Sequence, residues 1–247
     1  MSNMAEQLGF FAKNGYLLIP DALSMAEVEL ANATIDQDLD ENETLWRHRS
    51  NGRSQSVNIL LAQPDLDFTM RPTSVLPLME SIMGPDICAD EHSVMIREAN
   101  PTGPTECIWH RDSCGGGTKP PYFTRYLSIV FYLTDVDETT HTFSVVPGSA
   151  QTSQPKGIDE YDLTKAHHIE GNAGTAILFN AYTIHAGNVR NTTAERRTIH
   201  LYCGHISDRF VSNFTIFPRR LWENKDDATK KYYSRLNPIS RLIADRF

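Results

Sequence analysis

Five short runs of β-forming residues lie between residues 92 and 203, and they restrict the fold more than any other feature of this 247-residue chain. Each run is bounded by glycine, proline, asparagine or threonine, which end strands and open turns. The runs recur too closely for crossover helices between parallel strands, so an antiparallel sandwich or barrel is favoured. The runs read HSVMIRE, YLSIVFYL, TFSVV, AILFN and RTIHLYC.

The residues before this region predict helices. Residues 4–13 have apolar side chains on one side of a helix, and Gly15 follows as a stop signal. Ser24 opens a capping-box pattern for a second helix that runs to about residue 40. Residues 74–83 predict a third helix. The polar stretch between the second and third helices, residues 40–56, predicts a loop over the surface.

The chain therefore divides into three parts within one predicted domain, residues 1–247. Helices are expected in residues 1–85, a β core in about 87–205, and a helical C-terminal tail in about 206–247. No repeat or low-complexity linker interrupts this order. A mainly β protein with flanking helices and a double-sheet jelly-roll core, like that of the cupins, fits the outline.

Composition and charge exclude several classes of function. With 40% hydrophobic and 9% aromatic residues the chain is not disordered. The net charge of −8 argues against a nucleic-acid partner, since binding to phosphates needs a basic face. No apolar run approaches the ~20 residues that span a membrane, and no secretory signal is visible. The four cysteines show no CxxC pattern, so reduced thiols in the cytoplasm are expected.

The segment CIWHRDSC contains the first candidate for chemistry. His110 and Asp112 lie two residues apart at the end of a β-like run, so both side chains point to the same face. An imidazole nitrogen and a carboxylate oxygen at one point suit a divalent metal such as Fe(II).

His185 is the best candidate for the third ligand. It follows the apolar run TAILFN and precedes a strand with an arginine pair, Arg196 and Arg197. Two histidines and one carboxylate form the facial triad of non-haem Fe(II) oxygenases. The open metal positions can accept an α-keto acid and O2. The far carboxylate of that keto acid needs a fixed cation, for which a guanidinium is suited.

The motifs WHRD, VVPGS and HAGNVRNTTAERR resemble the phytanoyl-CoA dioxygenase family of Fe(II)- and 2-oxoglutarate-dependent oxygenases. The N-terminal FFAKNGYLLIPDALSMAEV is also similar to the opening of that family. The resemblance implies a double-stranded β-helix fold, with His110, Asp112 and His185 as iron ligands. It implies Arg196, eleven residues after His185, as the 2-oxoglutarate anchor.

Arg197 is the rival anchor. Strand alternation puts the two arginines on opposite faces. The family commonly has apolar residues three and five positions after the anchor, and Ile199 and Leu201 fit that phase from Arg196. We therefore prefer Arg196.

Other residues are weaker candidates for contact with a substrate. The glycine run that follows Asp112 predicts a mobile lid over the site, with a disordered loop as the alternative. His141 is expected to face solvent. The candidates are Arg97, Gly115, Gly116, Gly117, Arg125, Tyr126 and His200.

The sequence thus predicts a 2-oxoglutarate-dependent dioxygenase that oxidises, by default hydroxylates, an unactivated C–H bond of a small organic metabolite. Its partners would be that substrate, O2 and 2-oxoglutarate, with succinate and CO2 as co-products. Two alternatives stay open: a non-catalytic or regulatory jelly-roll binding protein, and a protein side-chain hydroxylase on the same fold. A homodimer is compatible with the sequence, which does not identify the substrate.

Overall fold

Two antiparallel β-sheets form the centre of the protein in a computed structural model that describes residues 3–112, 124–151, 156–207, 212 and 214–234. The helices are α1 (Met4–Asn14), α2 (Met25–Glu41), α3 (Leu76–Met83) and α4 (Asp227–Tyr232). The strands are β1 (Tyr16–Ile19), β2 (Arg47–Arg49), β3 (Arg53–Ser56), β4 (Ile87–Arg97), β5 (Tyr126–Tyr132), β6 (Thr142–Val145), β7 (His167–Ile169), β8 (Ala176–Asn180), β9 (His185–Asn188) and β10 (Arg196–His205).

The chain passes repeatedly between the two sheets. The large sheet has the strand order β1-β8-β5-β10-β4-β3-β2, and the small sheet has the order β7-β6-β9. From β5 onward the chain goes from the large sheet to the small one, back at β8, across at β9 and back at β10. This winding between two antiparallel sheets is that of a jelly roll. The predicted mainly β core with flanking helices is confirmed.

The two faces of the large sheet bury different cores. In β5, Leu127, Ile129 and Phe131 belong to the core under the N-terminal helices. The alternate residues Val130 and Tyr132 belong to a second core, which the small sheet covers. A strand that is buried on both faces reads as a continuous apolar run, which is why YLSIVFYL was easy to predict.

Capping boxes begin the first two helices. The side chain of Asn3 accepts a hydrogen bond from the Glu6 N–H at 2.9 Å, and the Glu6 carboxylate accepts one from the Asn3 N–H at 3.1 Å. Ser24 and Glu27 repeat the arrangement. Helix α1 ends at Gly15, whose φ of 79° is left-handed and favours glycine. Helix α2 packs one side on the core through Val28, Ala31, Thr34, Ile35 and Asp38.

The polar stretch at residues 40–56 is not the surface loop that the sequence predicts. Its second half is a β-hairpin, because β2 pairs with β3 and β3 pairs with β4 at the edge of the large sheet. Gly52, with a φ of 71°, lies in the connecting turn. The side chains of this hairpin have low strand propensity, so the pairing to β4 decides its structure.

Other differences concern short or polar segments. Strands β7 and β9, of three and four residues, were not predicted. His141 is fully buried rather than exposed to solvent, because its Nε2 donates to the Glu98 carbonyl and its Nδ1 accepts from the Arg190 N–H. In the described part of the tail, helix occurs at α4 and in one turn at Arg219–Leu221.

A search of the described ranges for an apolar helix long enough to cross a bilayer finds none.

Candidate active site

His110 and His185 face each other across an isolated antiparallel bridge. The backbone N–H of each donates to the carbonyl oxygen of the other at 3.0 Å. Side chains of directly opposed residues lie on the same face, and the two imidazole centroids are 4.3 Å apart. Asp112 lies two residues beyond His110, and its N–H donates to the Ala181 carbonyl at 3.0 Å. The two segments therefore bring all three predicted residues together.

The ligand atoms of these three side chains converge. Nε2 of His110 is 3.5 Å from Oδ1 of Asp112, and Nε2 of His185 is 3.3 Å from Oδ2. All three ligand atoms lie within 4.8 Å of one another. In the part of the chain that the structure describes, this is the one group of three or more such side chains with metal-binding spacing.

The hydrogen bonds of the two imidazoles fit a metal ion at this point. Nδ1 of His110 is 3.0 Å from the Ile108 carbonyl oxygen, and Nδ1 of His185 is 2.9 Å from that of Thr183. A carbonyl oxygen only accepts, so each Nδ1 carries the hydrogen and each neutral Nε2 presents a lone pair. Oδ2 of Asp112 is buried and has no hydrogen-bond partner among the described residues. Lone pairs that face each other in this way need a cation between them.

The two histidines differ in how far their side chains are exposed. The His185 side chain is 4% exposed and packs against Phe143 and Phe179, whereas that of His110 is 51% exposed. Burial, with the nearby His185, lowers the pKa of His110 and favours the neutral form that binds metal. Burial alone would raise the pKa of Asp112, but His185 and His110 outweigh it and the pKa is lowered. These directions suit a neutral His110 beside an ionised Asp112.

A cavity of about 350 Å³ opens beside this group, and Arg196 lies in its wall. Nε and Nη1 of Arg196 are buried and have no partner in the described ranges. Arg197 points to the other face of β10, where it forms ion pairs with Asp36 at 2.7 Å and Glu195 at 2.6 Å. Of the two arginines, Arg196 is therefore the one whose guanidinium can receive an anion near the three ligands.

His200 also lines the cavity. Thr198 donates its hydroxyl hydrogen to the Met95 carbonyl, so its oxygen accepts from Nε2 of His200 at 3.0 Å. Nδ1 of His200 is then a buried lone pair without a described partner. Burial and the nearby Arg196 lower the pKa of His200 to about 3. This imidazole is a neutral acceptor in the cavity wall.

The remaining predicted residues divide into three groups. Arg97 lines the cavity. Arg125 and Tyr126 do not belong to its described lining: Arg125 donates to Ser207 at 2.8 Å, and the Tyr126 hydroxyl donates to Asp90 at 2.7 Å. The glycines of the predicted lid, Gly115, Gly116 and Gly117, lie outside the described residues.

Sequence reasoning missed Arg49 and Arg53, which also line the cavity. Both belong to the β2–β3 hairpin, in a stretch for which the sequence predicts a surface loop. The signal was present in the sequence, since Asn51-Gly52 is the dipeptide that most strongly predicts a hairpin turn. A hairpin with this turn pairs Arg49 with Arg53 and places both side chains on the same face of the sheet.

A larger groove of about 840 Å³ lies elsewhere, between α1, β1 and β7. It is lined by Phe10, Tyr16 and His167, among others, and none of the three candidate ligands borders it. Its size does not make it the active site, because the converging ligands and the unpaired arginine are in the smaller cavity.

Comparison with known proteins places the chain among related sequences. The sequence profile of the phytanoyl-CoA dioxygenase family matches residues 11–199. An ectoine dioxygenase from Nocardia farcinica (strain IFM 10152) is 25% identical over 264 aligned positions, which cover 91% of this chain and 86% of that protein.

Solved structures share the fold. The α-ketoglutarate-dependent epimerase SnoN of nogalamycin biosynthesis has a TM-score of 0.69 at 16% identity, covering 85% of this chain and 89% of SnoN. HygX from Streptomyces hygroscopicus, crystallised with nickel and 2-oxoglutarate, has a TM-score of 0.67 at 17% identity, covering 83% and 89%. Because the family profile matches well over half of its length, the chain belongs to the phytanoyl-CoA dioxygenase family and is a 2-oxoglutarate-dependent, non-haem iron dioxygenase.

Proposed function

We propose that His110, Asp112 and His185 bind the iron, and that Arg196 binds the far carboxylate of 2-oxoglutarate. The reaction would be oxidation, by default hydroxylation, of an unactivated C–H bond in a small organic metabolite. One observation carries this proposal: His110, Asp112 and His185 converge on one point, and the cavity that His110 and His185 border also contains Arg196, whose buried Nε and Nη1 have no partner among the described residues.

Iron and 2-oxoglutarate, when bound, supply the oxidation of a C–H bond by O2, with succinate and CO2 as co-products. The chain supplies positions and charges. Two imidazoles and one carboxylate leave metal positions open for the keto acid. The carbonyls of Ile108 and Thr183 hold the two rings in the orientation and tautomer that binding requires.

Arg196 is suited to the cosubstrate because no carboxylate of the described chain competes for it. A planar guanidinium binds a carboxylate through two parallel hydrogen bonds, and burial strengthens that pairing. Phe143 and Phe179 pack on His185 and give the inner end of the site an apolar wall. Such a wall keeps water from the reacting centre.

The proposal is tested by succinate formation from 2-oxoglutarate with Fe(II) and O2 across a panel of small metabolites. Binding of a metal and of 2-oxoglutarate is measured in the same samples without O2. We expect iron-dependent succinate that rises with one class of metabolite. If 2-oxoglutarate binds but no metabolite raises turnover, the alternatives are favoured, namely a binding protein or an enzyme for protein side chains.

We further propose that the chain forms one domain and acts in the cytoplasm. One apolar cluster contains residues from Phe11 to Tyr233, which supports a single folding unit. Cys107 and Cys203 are free thiols, as expected in a reducing compartment.

A further inference from the structure

Four arginines form one row across four neighbouring strands of the large sheet. Arg49 of β2 is opposite Arg53 of β3, Arg53 is opposite Arg97 of β4, and Arg97 is opposite Arg196 of β10. Residues directly opposite one another have side chains on the same face of a sheet. All four side chains accordingly line the cavity beside His110 and His185.

None of the four arginines forms an ion pair within the described chain, although Glu98 acts on Arg97 from a longer distance and alone would raise its pKa. No carboxylate oxygen of the described residues lies within ion-pair distance of any of these four side chains. Glu106 is the acidic residue in the described lining of the cavity; its side chain is exposed and also lies beyond that distance. Nε of Arg53 is buried without a partner, like two nitrogens of Arg196. Arg97 donates to the Asn51 carbonyl at 2.6 Å, which leaves its charge unpaired.

Such a row is unfavourable unless an anion occupies it. Like charges directly opposite each other on a sheet destabilise it. Burial, then Arg196 and Arg53, lower the pKa of Arg97 to about 10, and burial followed by Arg49 lowers that of Arg53. The chain carries a net charge of −8, so this concentration of positive charge in one cavity is a local feature.

The cosubstrate does not account for the whole row. Neighbouring strands are about 4.8 Å apart, so the backbones at Arg53 and Arg196 are separated by roughly 10 Å, and one carboxylate neutralises only one of the four positive charges in the row. Resting on the proposed function, in which Arg196 holds 2-oxoglutarate, we propose that the oxidised metabolite is itself an anion. Its carboxylate or phosphate group binds Arg53 and Arg97, and the exposed Arg49 draws it into the mouth of the cavity.

Anion binding is measured first without turnover. The full chain is loaded with Ni(II) in place of iron and with saturating 2-oxoglutarate, then titrated with inorganic phosphate and, separately, with malonate. The stronger of the two ligands distinguishes a phosphate from a carboxylate site. Arg53→Gln and Arg97→Gln should each raise the dissociation constant on the order of 30-fold or more, the lower end of the cost of losing one charge from a desolvated pair. Arg197→Gln is the matched control and should leave it unchanged.

The direction in which Arg53→Gln changes the melting temperature of the unliganded protein is an independent test of the proposal. In a chloride buffer, Arg53→Gln should raise the melting temperature, because it removes the repulsion from both Arg49 and Arg97. An arginine with a structural role would lower it instead. A lower melting temperature for Arg53→Gln, together with unchanged anion affinity, would overturn the inference.

Turnover then tests the substrate class. Metabolites are offered in matched pairs, a carboxylate with its primary amide and a phosphate ester with its parent alcohol. The anionic member should stimulate succinate formation at least 10-fold more than its neutral partner. Equal stimulation by both members would overturn the inference.

The same samples separate this inference from the proposed function. If Arg196→Gln leaves 2-oxoglutarate binding intact, the cosubstrate assignment fails. If that variant loses 2-oxoglutarate while Arg53→Gln and Arg97→Gln keep anion binding, only the substrate class is wrong. If Arg97→Gln weakens 2-oxoglutarate binding as much as Arg196→Gln does, Arg97 belongs to the cosubstrate and its assignment to the substrate is overturned.

Discussion

The adjacent residues Arg196 and Arg197 lie on opposite faces of β10 and have opposite surroundings. Arg197 faces the helices, where Asp36 of α2 and its neighbour Glu195 neutralise it. Arg196 faces the small sheet, where its buried Nε and Nη1 have no described partner. Two arginines on one strand thus differ in whether the described chain supplies carboxylate partners for them.

This difference extends along the strand. The helix-facing residues Ile199, Leu201 and Cys203 are fully buried in the core under the helices. On the cavity-facing side, His200, whose Nδ1 has no described partner, shares the cavity wall with His110 and His185. We infer that the helix face of the large sheet stabilises the fold, whereas the cavity face keeps polar groups ready for ligands. Variants on the two faces should therefore change different measurements.

The largest effect on the cavity side is expected from Asp112→Ala. It removes the one anionic ligand of three, so iron-dependent succinate formation should fall to background and metal affinity should drop. Asp36→Ala removes a carboxylate from the helix side and should keep turnover, at a cost of about 0–1 kcal/mol in stability for an exposed pair. Normal iron binding and turnover in Asp112→Ala would show that the metal site is elsewhere.

The same substitution at Arg196 and at Arg197 compares the two faces of β10 directly. Arg196→Gln should weaken 2-oxoglutarate binding by about 2–5 kcal/mol, the cost of losing a desolvated charge partner. Metal affinity should change little, which calorimetry on the Ni(II)-loaded protein can check. Arg197→Gln should leave 2-oxoglutarate affinity unchanged. The reverse ranking would mean that the helix face binds the cosubstrate.

Leu201→Ala should show the opposite behaviour of the helix face. Leu201 is fully buried, so its truncation should lower the free energy of unfolding by about 2–5 kcal/mol. The folded fraction should still bind 2-oxoglutarate with the wild-type dissociation constant. Urea denaturation and calorimetry measure the two quantities. A large loss of affinity with little loss of stability would show that the two faces are not separable.

Much of this arrangement was predictable from the sequence. Apolar runs predicted β5 and β8, because these two strands are buried on both faces. The spacing of His110, Asp112 and His185 indicated a metal centre, and the apolar phase after Arg196 separated it from Arg197. Strand alternation places Arg196 and Arg197 on opposite faces, and the resemblance to the family pattern then favours Arg196.

The row of arginines was not predictable in the same way. Arg49 and Arg53 are in a polar hairpin that joins the sheet through the pairing of β3 with β4, and no apolar period marks that pairing. The Asn51-Gly52 turn indicated a hairpin but not its partner. The register of β2, β3, β4 and β10 depends on tertiary structure. The concentration of positive charge on the four arginines is therefore visible only in the folded chain. Of the four arginines, the sequence alone marks Arg97 and Arg196 as candidates.

The smallest effect concerns two histidines on the two faces of the sheet, His92 and His200. Burial lowers the pKa of each to about 3. On the helix face, the Thr69 hydroxyl donates to the Leu66 carbonyl and accepts from Nε2 of His92 at 3.0 Å. Nδ1 of His92 has no described partner, so protonation would bury a charge without an acceptor.

The sign of the pH dependence follows. Below its ordinary pKa of 6.5, His92 binds a proton in the unfolded chain but not in the folded one, so stability is lost as the pH falls from about 6.5 toward about 3. At pH 5 this one group costs about 2 kcal/mol relative to pH 7. His92→Gln, which keeps a donor for Thr69, should lose correspondingly less free energy of unfolding between pH 7 and pH 5. Equal losses in His92→Gln and the wild type would show that His92 is solvated or charged in the folded state. The helix face of the large sheet would then be accessible to water, contrary to the difference between the two faces described above.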